Sequence, residues 1–294
     1  SVPFDGDIHV LFYRKSLLAK YDLSPPETWA QFTAVAKHIT ENERANGVYG
    51  TAIMAHPTPI IIVSSFMNRL GGFNGRLLDE QLRPALDTPE AAAALSAMVE
   101  QSAYALPTPL ETDFSVSRDA FLLGQVAMVE QWTDIGIMAE DENQSFIKGD
   151  WGAVPMPTEK GGAEQRSAAL NAGWVLGLSS KSPNRPAAEA FLAFAARPDI
   201  TLRLNLIPGG GGIDPIRLSV IHSKAFKTFA PVISQVEVEM ASSRLAAWPK
   251  HPRSPELMQA LSDSILAAIE KRRSPEEALA ACQRRWEAIF DQAP

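Results

Sequence analysis

The chain has little cysteine: Cys282 is the only one among 294 residues. A single cysteine provides neither a disulfide framework nor a cysteine-based metal site. It follows Ala278 and Leu279 at a spacing that places it on the apolar side of a helix. We therefore predict that Cys282 packs in a core.

Positive charge is also scarce. The chain has 27 Lys and Arg residues against 34 Asp and Glu, a formal net charge of -7, and no arginine-rich run. Nucleic acid and anionic membrane surfaces are therefore poor candidates for partners, whereas a neutral or cationic small ligand fits better. No stretch approaches the ~18 apolar residues of a membrane span. A signal peptide and a lipid anchor are not visible, and because Ser1 is not an initiator methionine we expect that processing or truncation removed an earlier segment.

The usual patterns of catalysis are missing. No Ser/His/Asp arrangement, no metal-binding histidine pair and no nucleotide-binding loop is apparent, so we expect a non-enzymatic protein without metal or cofactor. One enzymatic alternative stays open, in which Asp5, Asp7 and Asp134 supply the paired carboxylates of a glycoside-processing enzyme. Nothing in the sequence places two of them at catalytic separation. A structural protein with no small-molecule pocket is the third alternative.

What the chain does have is enough apolar residues, 46% with six tryptophans, to build one large domain or two. Thr28 with Gln31 and Ser274 with Glu277 predict two capping boxes, each opening a helix. Strands are predicted within residues 8–13, 49–54 and 126–129, and an extended hairpin over residues 77–86.

The most informative stretch lies at residues 124–134. After the apolar strand, Gln131, Trp132, Thr133 and Asp134 place an aromatic face among three hydrogen-bonding side chains. Ligands of open α/β sheets bind beyond the carboxyl ends of strands. The ring could cover the C–H face of a sugar while the polar groups bind its hydroxyls. The alternative is that Trp132 is a core anchor with a half-buried indole N–H.

Two later segments carry related signals. Asn171, Gly173 and Trp174 stand at the entrance of another apolar strand. Four glycines at residues 209–212, flanked by prolines, suit a hinge or a backbone that approaches a ligand closely. A plain flexible loop explains these glycines equally well.

Six short motifs follow one another along the chain. They are Val2-Pro3-Phe4-Asp5-Gly6-Asp7 running into Leu11-Phe12-Tyr13-Arg14-Lys15, then Pro26-Glu27-Thr28-Trp29, Ala127-Met128-Val129 before Trp132, Gly173-Trp174, the glycines before Pro215, Arg217, Ser219 and Val220, and Ser274-Pro275-Glu276-Glu277-Ala278-Leu279. In this order they resemble the family 1 extracellular solute-binding proteins of ABC importers, the group containing maltose-binding protein. Each motif is weak alone, but the ordered set is fairly specific and covers essentially the whole chain.

The resemblance implies an α/β, periplasmic-binding-protein-like (type II) fold of two lobes joined by a hinge. In this family the first lobe is built mainly from residues that precede the region matching Ser1, so the N-terminal lobe is expected to be largely absent here. The implied division is residues 1–9 as a hinge segment, 10–168 as the first part of the C-terminal lobe, 169–213 as a remnant of the N-terminal lobe with hinge crossings, and 214–294 as the final helices. We expect residues 171–212 to be the least protected part of the chain, with an uncovered apolar face, unless another copy or a further segment covers them.

The same resemblance implies a function and a site. The protein is expected to bind a sugar or polyol between its lobes and deliver it to the permease subunits of an ABC importer, as a monomer in the periplasm or another extracytoplasmic space, lipid-anchored if the source is Gram-positive. Trp132 is expected to stack on the sugar, and Asp5 to lie near Arg217. The candidate ligand-binding residues are Asp5, Asp7, Gln131, Trp132, Asp134, Asn171, Gly173, Trp174 and Arg217. Ordinary alternatives are a turn for Asp5, a core position for Trp174 and a surface ion pair for Arg217.

Overall fold

The computed structural model describes residues 1–162, 169–208, 213–240, 246 and 248–292. The glycines at 209–212, and with them the predicted hinge, lie outside the described residues. Within the described part of the chain, no helix combines the length and apolarity needed to cross a bilayer.

The described elements are five strands and a larger set of helices. The strands are β1 (Val2–Asp5), β2 (His9–Arg14), β3 (Met128–Trp132), β4 (Trp151–Val154) and β5 (Trp174–Leu176). The helices are α1 (Lys15–Lys20), α2 (Trp29–Glu43), α3 (Pro59–Gly72), α4 (Pro89–Ser102), α5 (Phe114–Leu122), α6 (Ile135–Met138), α7 (Arg185–Ala195), α8 (Pro198–Asn205), α9 (Leu218–Ile221), α10 (Lys224–Phe229), α11 (Pro231–Met240), α12 (Ser254–Ile269) and α13 (Pro275–Phe290), with 3-10 turns at Arg44–Asn46 and Pro109–Glu111.

A three-stranded antiparallel sheet, ordered β3-β2-β4, forms the centre of the larger core. The first four residues of β2 are fully buried, because α5 packs against β3 and α11 against β4. The register pairs Tyr13 with Met128 at one end of the sheet and His9 with Trp132 at the other. The sheet therefore places the carboxyl end of β3 beside the start of β2.

Local capping explains where the long helices begin. The Thr28 hydroxyl accepts a hydrogen bond from the Gln31 N–H, and the Gln31 side chain accepts one from the Thr28 N–H. Ser274 and Glu277 form the same reciprocal pair at the start of α13. Both predicted capping boxes are confirmed, and each satisfies N–H groups that a helix start leaves unpaired.

A second core is helical. Helices α3, α4, α12 and α13 pack together, and the Trp286 indole N–H donates to the Leu257 carbonyl. Cys282 is fully buried there, and burial raises the pKa of its thiol to about 12. The prediction that this cysteine packs in a core is confirmed.

The predicted strand at residues 49–54 is wrong. Tyr49 forms an isolated bridge with Val126, and Thr51 forms one with Ala105. Because the two bridges use different neighbours, no continuous ladder develops, although the segment is buried. The predicted hairpin at residues 77–86 is reduced to one bridge between Leu78 and Pro84.

Strand β1 lies outside the main sheet and pairs antiparallel with β5 in a two-stranded ribbon, with an irregularity between Pro3 and Asp5. Strand β5, helix α7 and the segment after α8 leave several apolar side chains in solvent. Trp174 is 70% exposed, and the exposed set also includes Val175, Phe191, Phe194 and Ile207. In α7 only Ala195 is buried. The apolar face that the sequence predicted to be uncovered is uncovered in the structure.

Amide hydrogen exchange should differ between the exposed helix α7 and the buried strand β3. We expect the amides of α7 to exchange faster than those of β3, because local opening is easiest where few apolar contacts hold an element down. Mass spectrometry of pepsin fragments from the monomeric chain would measure both elements in one sample. Equal protection of α7 and β3 would show that residues 169–208 are held as firmly as the main sheet, contrary to this expectation.

Candidate functional site

Trp132 lies at the carboxyl end of β3 and is partly exposed. Its ring is tilted against the His9 ring, with 3.7 Å between the centroids, and the Phe114 ring centroid is 5.6 Å away. The indole therefore rests on aromatic rings and borders the helical core, but it is not fully enclosed. Its remaining exposed surface can accept the apolar face of a ligand.

A buried polar chain holds His9 in place. Asn68 Oδ1 accepts the Leu170 N–H at 2.9 Å, so its amide nitrogen faces His9 Nδ1 at 2.6 Å and Glu130 Oε2 at 2.9 Å. A donor facing Nδ1 makes that nitrogen the acceptor, so the proton resides on Nε2. Complete burial lowers the pKa of His9 to about 3, and the ring beneath Trp132 is neutral at physiological pH.

Glu130 forms the other end of this chain. Its carboxylate pairs with the Arg69 guanidinium at 2.7 Å, and both side chains are at most 1% exposed. Arg69 also donates to the Gln101 side chain and the Ser65 carbonyl, and Ser65 donates to Glu130. The charges are thereby paired and hydrogen-bonded, as buried charges must be.

An acidic cluster lies beside this edge of the sheet, formed by Asp5, Asp7, Asp134 and Asp214. The Asp214 N–H donates to Asp5 Oδ1 at 2.5 Å, and the Asp134 N–H donates to Asp214 Oδ2 at 3.0 Å. One carboxylate oxygen from each of Asp5, Asp7 and Asp214 lies within 4.8 Å of the other two. Residues far apart in sequence are therefore joined through backbone-to-carboxylate hydrogen bonds.

Burial raises the pKa of these carboxyl groups, so they give up their protons less readily than usual. Burial, reinforced by the charges of Asp5 and Asp134, raises the pKa of Asp7 to about 7. Burial and the Asp5 charge raise the pKa of Asp134 to about 6, and burial raises that of the nearby Glu237 to about 8. The pKa of Asp214 is well above its ordinary value for the same reason, with Asp134 as the largest charge contribution. The site is thus rich in groups that gain from a proton, a cation or a hydroxyl donor.

The predicted segment at residues 171–174 lies beside Asp5 and Asp7. Asn171 forms a bridge with Ile8, and its side-chain amide donates to the Asp7 carbonyl at 3.2 Å. Gly173 has a φ of 137°, and a Cβ there would lie 2.2 Å from the Asp5 carbonyl oxygen, so only glycine fits. Trp174 pairs with Asp5 in the β1–β5 ribbon and projects into solvent, which excludes the alternative of a core position.

Two candidate ligand-binding residues, Gln131 and Arg217, make hydrogen bonds within the protein instead. Gln131 is buried within β3, where its amide donates to the Phe114 carbonyl at 2.8 Å and the Ser117 hydroxyl at 3.0 Å. Successive strand residues face opposite sides, so Gln131 points away from the side on which Trp132 lies. Arg217 donates to the Ala196 carbonyl at 2.6 Å and, among the described residues, forms no ion pair with Asp5. The structure ties Arg217 to the end of α7 instead.

The sequence interpretation missed Asp214, His9, Asn68, Arg69 and Glu130. Asp214 offered a signal, since it follows the glycine run as a third acidic residue at an expected hinge crossing. Arg69 and Asn68 lie in a largely apolar helix, and such residues are buried only when they have partners.

A cavity of about 740 Å³ lies elsewhere, lined by Gly136, Ile137, Trp151, Phe229 and Pro231 among others. None of the candidate residues lines it. The candidate site is therefore located by its side-chain chemistry and not by this cavity.

Comparison with known proteins identifies the family. The model of the family described as bacterial extracellular solute-binding protein matches residues 2–202. A curated relative from Sinorhizobium fredii, named Probable amino-acid ABC transporter periplasmic-binding protein y4oP, is 23% identical over 98% of this chain and 64% of its own length. The Escherichia coli ABC transporter periplasmic-binding protein YcjN is 27% identical over 77% of this chain and 50% of its own length. The chain thus spans about half to two thirds of these relatives.

Solved structures show the fold. The maltose-bound MalE3 of T. maritima has a TM-score of 0.88 and 25% identity, covering 98% of this chain and 72% of that one. A ribitol complex from Agrobacterium radiobacter has a TM-score of 0.83 at 22% identity, covering 98% and 71%. A D-mannitol complex from Agrobacterium vitis has a TM-score of 0.85 at 21% identity, covering 98% and 72%.

These neighbours have the type II periplasmic-binding-protein fold, which confirms the predicted fold class. The family consists of binding proteins rather than enzymes, so the glycoside-processing alternative is set aside. The chain belongs to the bacterial extracellular solute-binding protein family.

Proposed function

We propose that this protein binds a sugar or related polyol at the edge of the β3-β2-β4 sheet and delivers it to the permease of an ABC importer. The observation that carries the proposal is the partly exposed Trp132 ring, supported by His9 from behind and flanked by buried carboxyl groups. Such a site combines an aromatic platform with hydroxyl-binding groups.

Each part of the site has a separate task in this proposal. Trp132 covers the C–H face of the ligand. Asp5, Asp7 and Asp134 accept hydrogen bonds from hydroxyls, and Asn171 keeps the Asp7 backbone in position. Trp174 would contact the ligand from the ribbon that pairs with β1. Gln131 and Arg217 are left out because their hydrogen bonds lie within the protein.

The bound molecules of the solved neighbours support this ligand class. Maltose, ribitol and D-mannitol are each named for the respective neighbour, and all present hydroxyls beside C–H surfaces. The name of the Sinorhizobium relative instead points to amino acids, which makes an amino-acid ligand the second candidate.

We further propose the two-lobe division, with β1 and β5 as crossings between residues 10–168 and residues 169–213. Closure of the lobes around the ligand would expel water from Trp132. The protein would act as a monomer in the periplasm or an equivalent extracytoplasmic space, where its partners are the permease subunits. A lipid anchor would hold it there in a Gram-positive host.

Substituting Trp132 tests the stacking role. Trp132→Ala should weaken binding of the sugar or polyol by about 1–3 kcal/mol, the scale for removing a large apolar contact. Far-ultraviolet circular dichroism should be unchanged, because the ring is only partly buried. Titration calorimetry measures the affinity. Phe146→Ala is the matched control, since Phe146 is 82% exposed and makes no part of the site; equal affinities of both variants would rule out stacking on Trp132.

A further inference from the structure

We propose that Asp5, Asp7 and Asp214 bind a divalent cation of the size of Ca²⁺. The sequence indicated no metal because it has neither a cysteine cluster nor a histidine pair, whereas this site uses carboxylates brought together by the fold. The proposed function also assigns Asp5 and Asp7 to ligand hydroxyls, so the cation site is tested in the absence of sugar.

The geometry of the three carboxylates suits one coordination shell. Their ligand oxygens all lie within 4.8 Å of one another. Ca²⁺ binds oxygen at about 2.3–2.6 Å, so oxygens on opposite sides of the ion are roughly 4.6–5.2 Å apart and the whole triad fits around it. Mg²⁺ needs shorter, near-octahedral contacts and gives up its water reluctantly. The separations admit either ion, and the reluctance of Mg²⁺ to give up its water makes Ca²⁺ the expected occupant.

A second observation points to a missing ligand. Asp214 is only 1% exposed, yet apart from the neighbouring Asp7 carboxyl no donor in the described chain reaches its Oδ1. Oδ1 of Asp134 is also buried without a hydrogen-bond partner. Buried oxygens without a partner are costly, and a cation would satisfy them.

The charges around the cluster lead to the same conclusion. No ion pair of the described residues includes Asp5, Asp7, Asp134 or Asp214, although ion pairs are frequent elsewhere on the surface. Several carboxylates close together in a poorly solvated place repel one another when ionised, so they hold protons unless a cation replaces them. A divalent cation cancels two of these charges at once.

The backbone prepares Asp5 and Asp214 for this role. Asp5 Oδ1 is fixed by the Asp214 N–H, and Asp214 Oδ2 by the Asp134 N–H. Each carboxylate keeps its second oxygen for a metal. Such outer hydrogen bonds orient metal ligands. Asp7 is only half-buried, which gives the ion a path from solvent.

Calcium titration of the chelator-treated chain, without sugar, tests the site. Saturable heat of Ca²⁺ binding is expected, with at least tenfold weaker binding of Mg²⁺. Asp7→Asn and Asp214→Asn should each weaken Ca²⁺ binding tenfold or more. Asp263→Asn is the matched control, because Asp263 is half-exposed and paired with Arg285, and its calcium affinity should match that of the wild type.

The calcium titration still decides the proposal if one of the variants does not fold. If Asp214→Asn does not fold, Asp7→Asn alone decides, since Asp7 is less buried. Absence of calcium heat in the folded chain, or unchanged affinity of Asp7→Asn, would overturn the proposal. Saturable binding of glucosamine in the presence of chelator, with no response to Ca²⁺, would overturn it in favour of an organic ammonium ligand. None of these results depends on whether Trp132 stacks on a neutral sugar.

Discussion

Glu130→Gln should lower the free energy of unfolding by about 3–5 kcal/mol, the cost of leaving one member of a buried ion pair without its partner. Arg69 would keep its positive charge where its side chain has no exposure to water. Its other partners carry no charge: they are the Gln101 side-chain oxygen, the Ser65 carbonyl and hydroxyl, and the face of the Trp29 ring. Urea denaturation followed by circular dichroism would measure the loss.

The matched control for Glu130→Gln is Glu80→Gln. Glu80 pairs with Arg76 at 3.6 Å, but both side chains are exposed, so its removal should change stability by less than about 0.5 kcal/mol. The double replacement of Arg69 and Glu130 by methionine should recover much of the loss, because no charge is left buried. If Glu130→Gln lowers the free energy of unfolding no more than the control does, the Arg69 charge is not shielded from water as it is in the structure.

Glu237→Gln should stabilise the protein at pH 8 by about 2–4 kcal/mol and have little effect at pH 5. Burial raises the pKa of Glu237 from 4.5 to about 8. The folded state therefore holds a proton that the unfolded state releases above about pH 4.5, and wild-type stability falls as the pH rises through this window. Glutamine has no such proton to lose.

Thermal unfolding at pH 5, 6.5 and 8 would show this dependence. Glu239→Gln is the control on the same helix, since Glu239 is exposed and its substitution should give a small difference at every pH. A stabilisation by Glu237→Gln that is equal at pH 5 and pH 8 would show that the effect comes from packing rather than from the buried charge.

The elements that the sequence predicted well are those determined by neighbours in the chain. Thr28 and Ser274 reach only three residues ahead to form their capping boxes. The strand before Trp132 is marked by its own apolar run. Residues 49–54 have a similar apolar character, but strand formation there depends on partners at Ala105 and Val126. No local pattern could show that these bridges would remain isolated.

The site was predictable to the extent that its residues lie beside recognisable strands. Asp5, Asp7 and Trp132 were singled out, and the structure brings them to one edge of the sheet. Gln131 was grouped with Trp132 because the two are adjacent, but adjacent residues of a strand face opposite sides. The Asp214 contact with Asp5 spans 209 residues, so only the folded chain could reveal it.

Titration calorimetry of the folded chain with maltose, ribitol and D-mannitol, with glycine and glutamate as amino-acid comparisons, measures whether the protein binds a hydroxyl-rich ligand. We expect saturable binding of at least one of the three hydroxyl-rich compounds, a rise in melting temperature with its concentration, and a loss of that affinity in Trp132→Ala. Saturable binding of an amino acid alone, or of none of the five compounds by a chain shown to be folded, would contradict it.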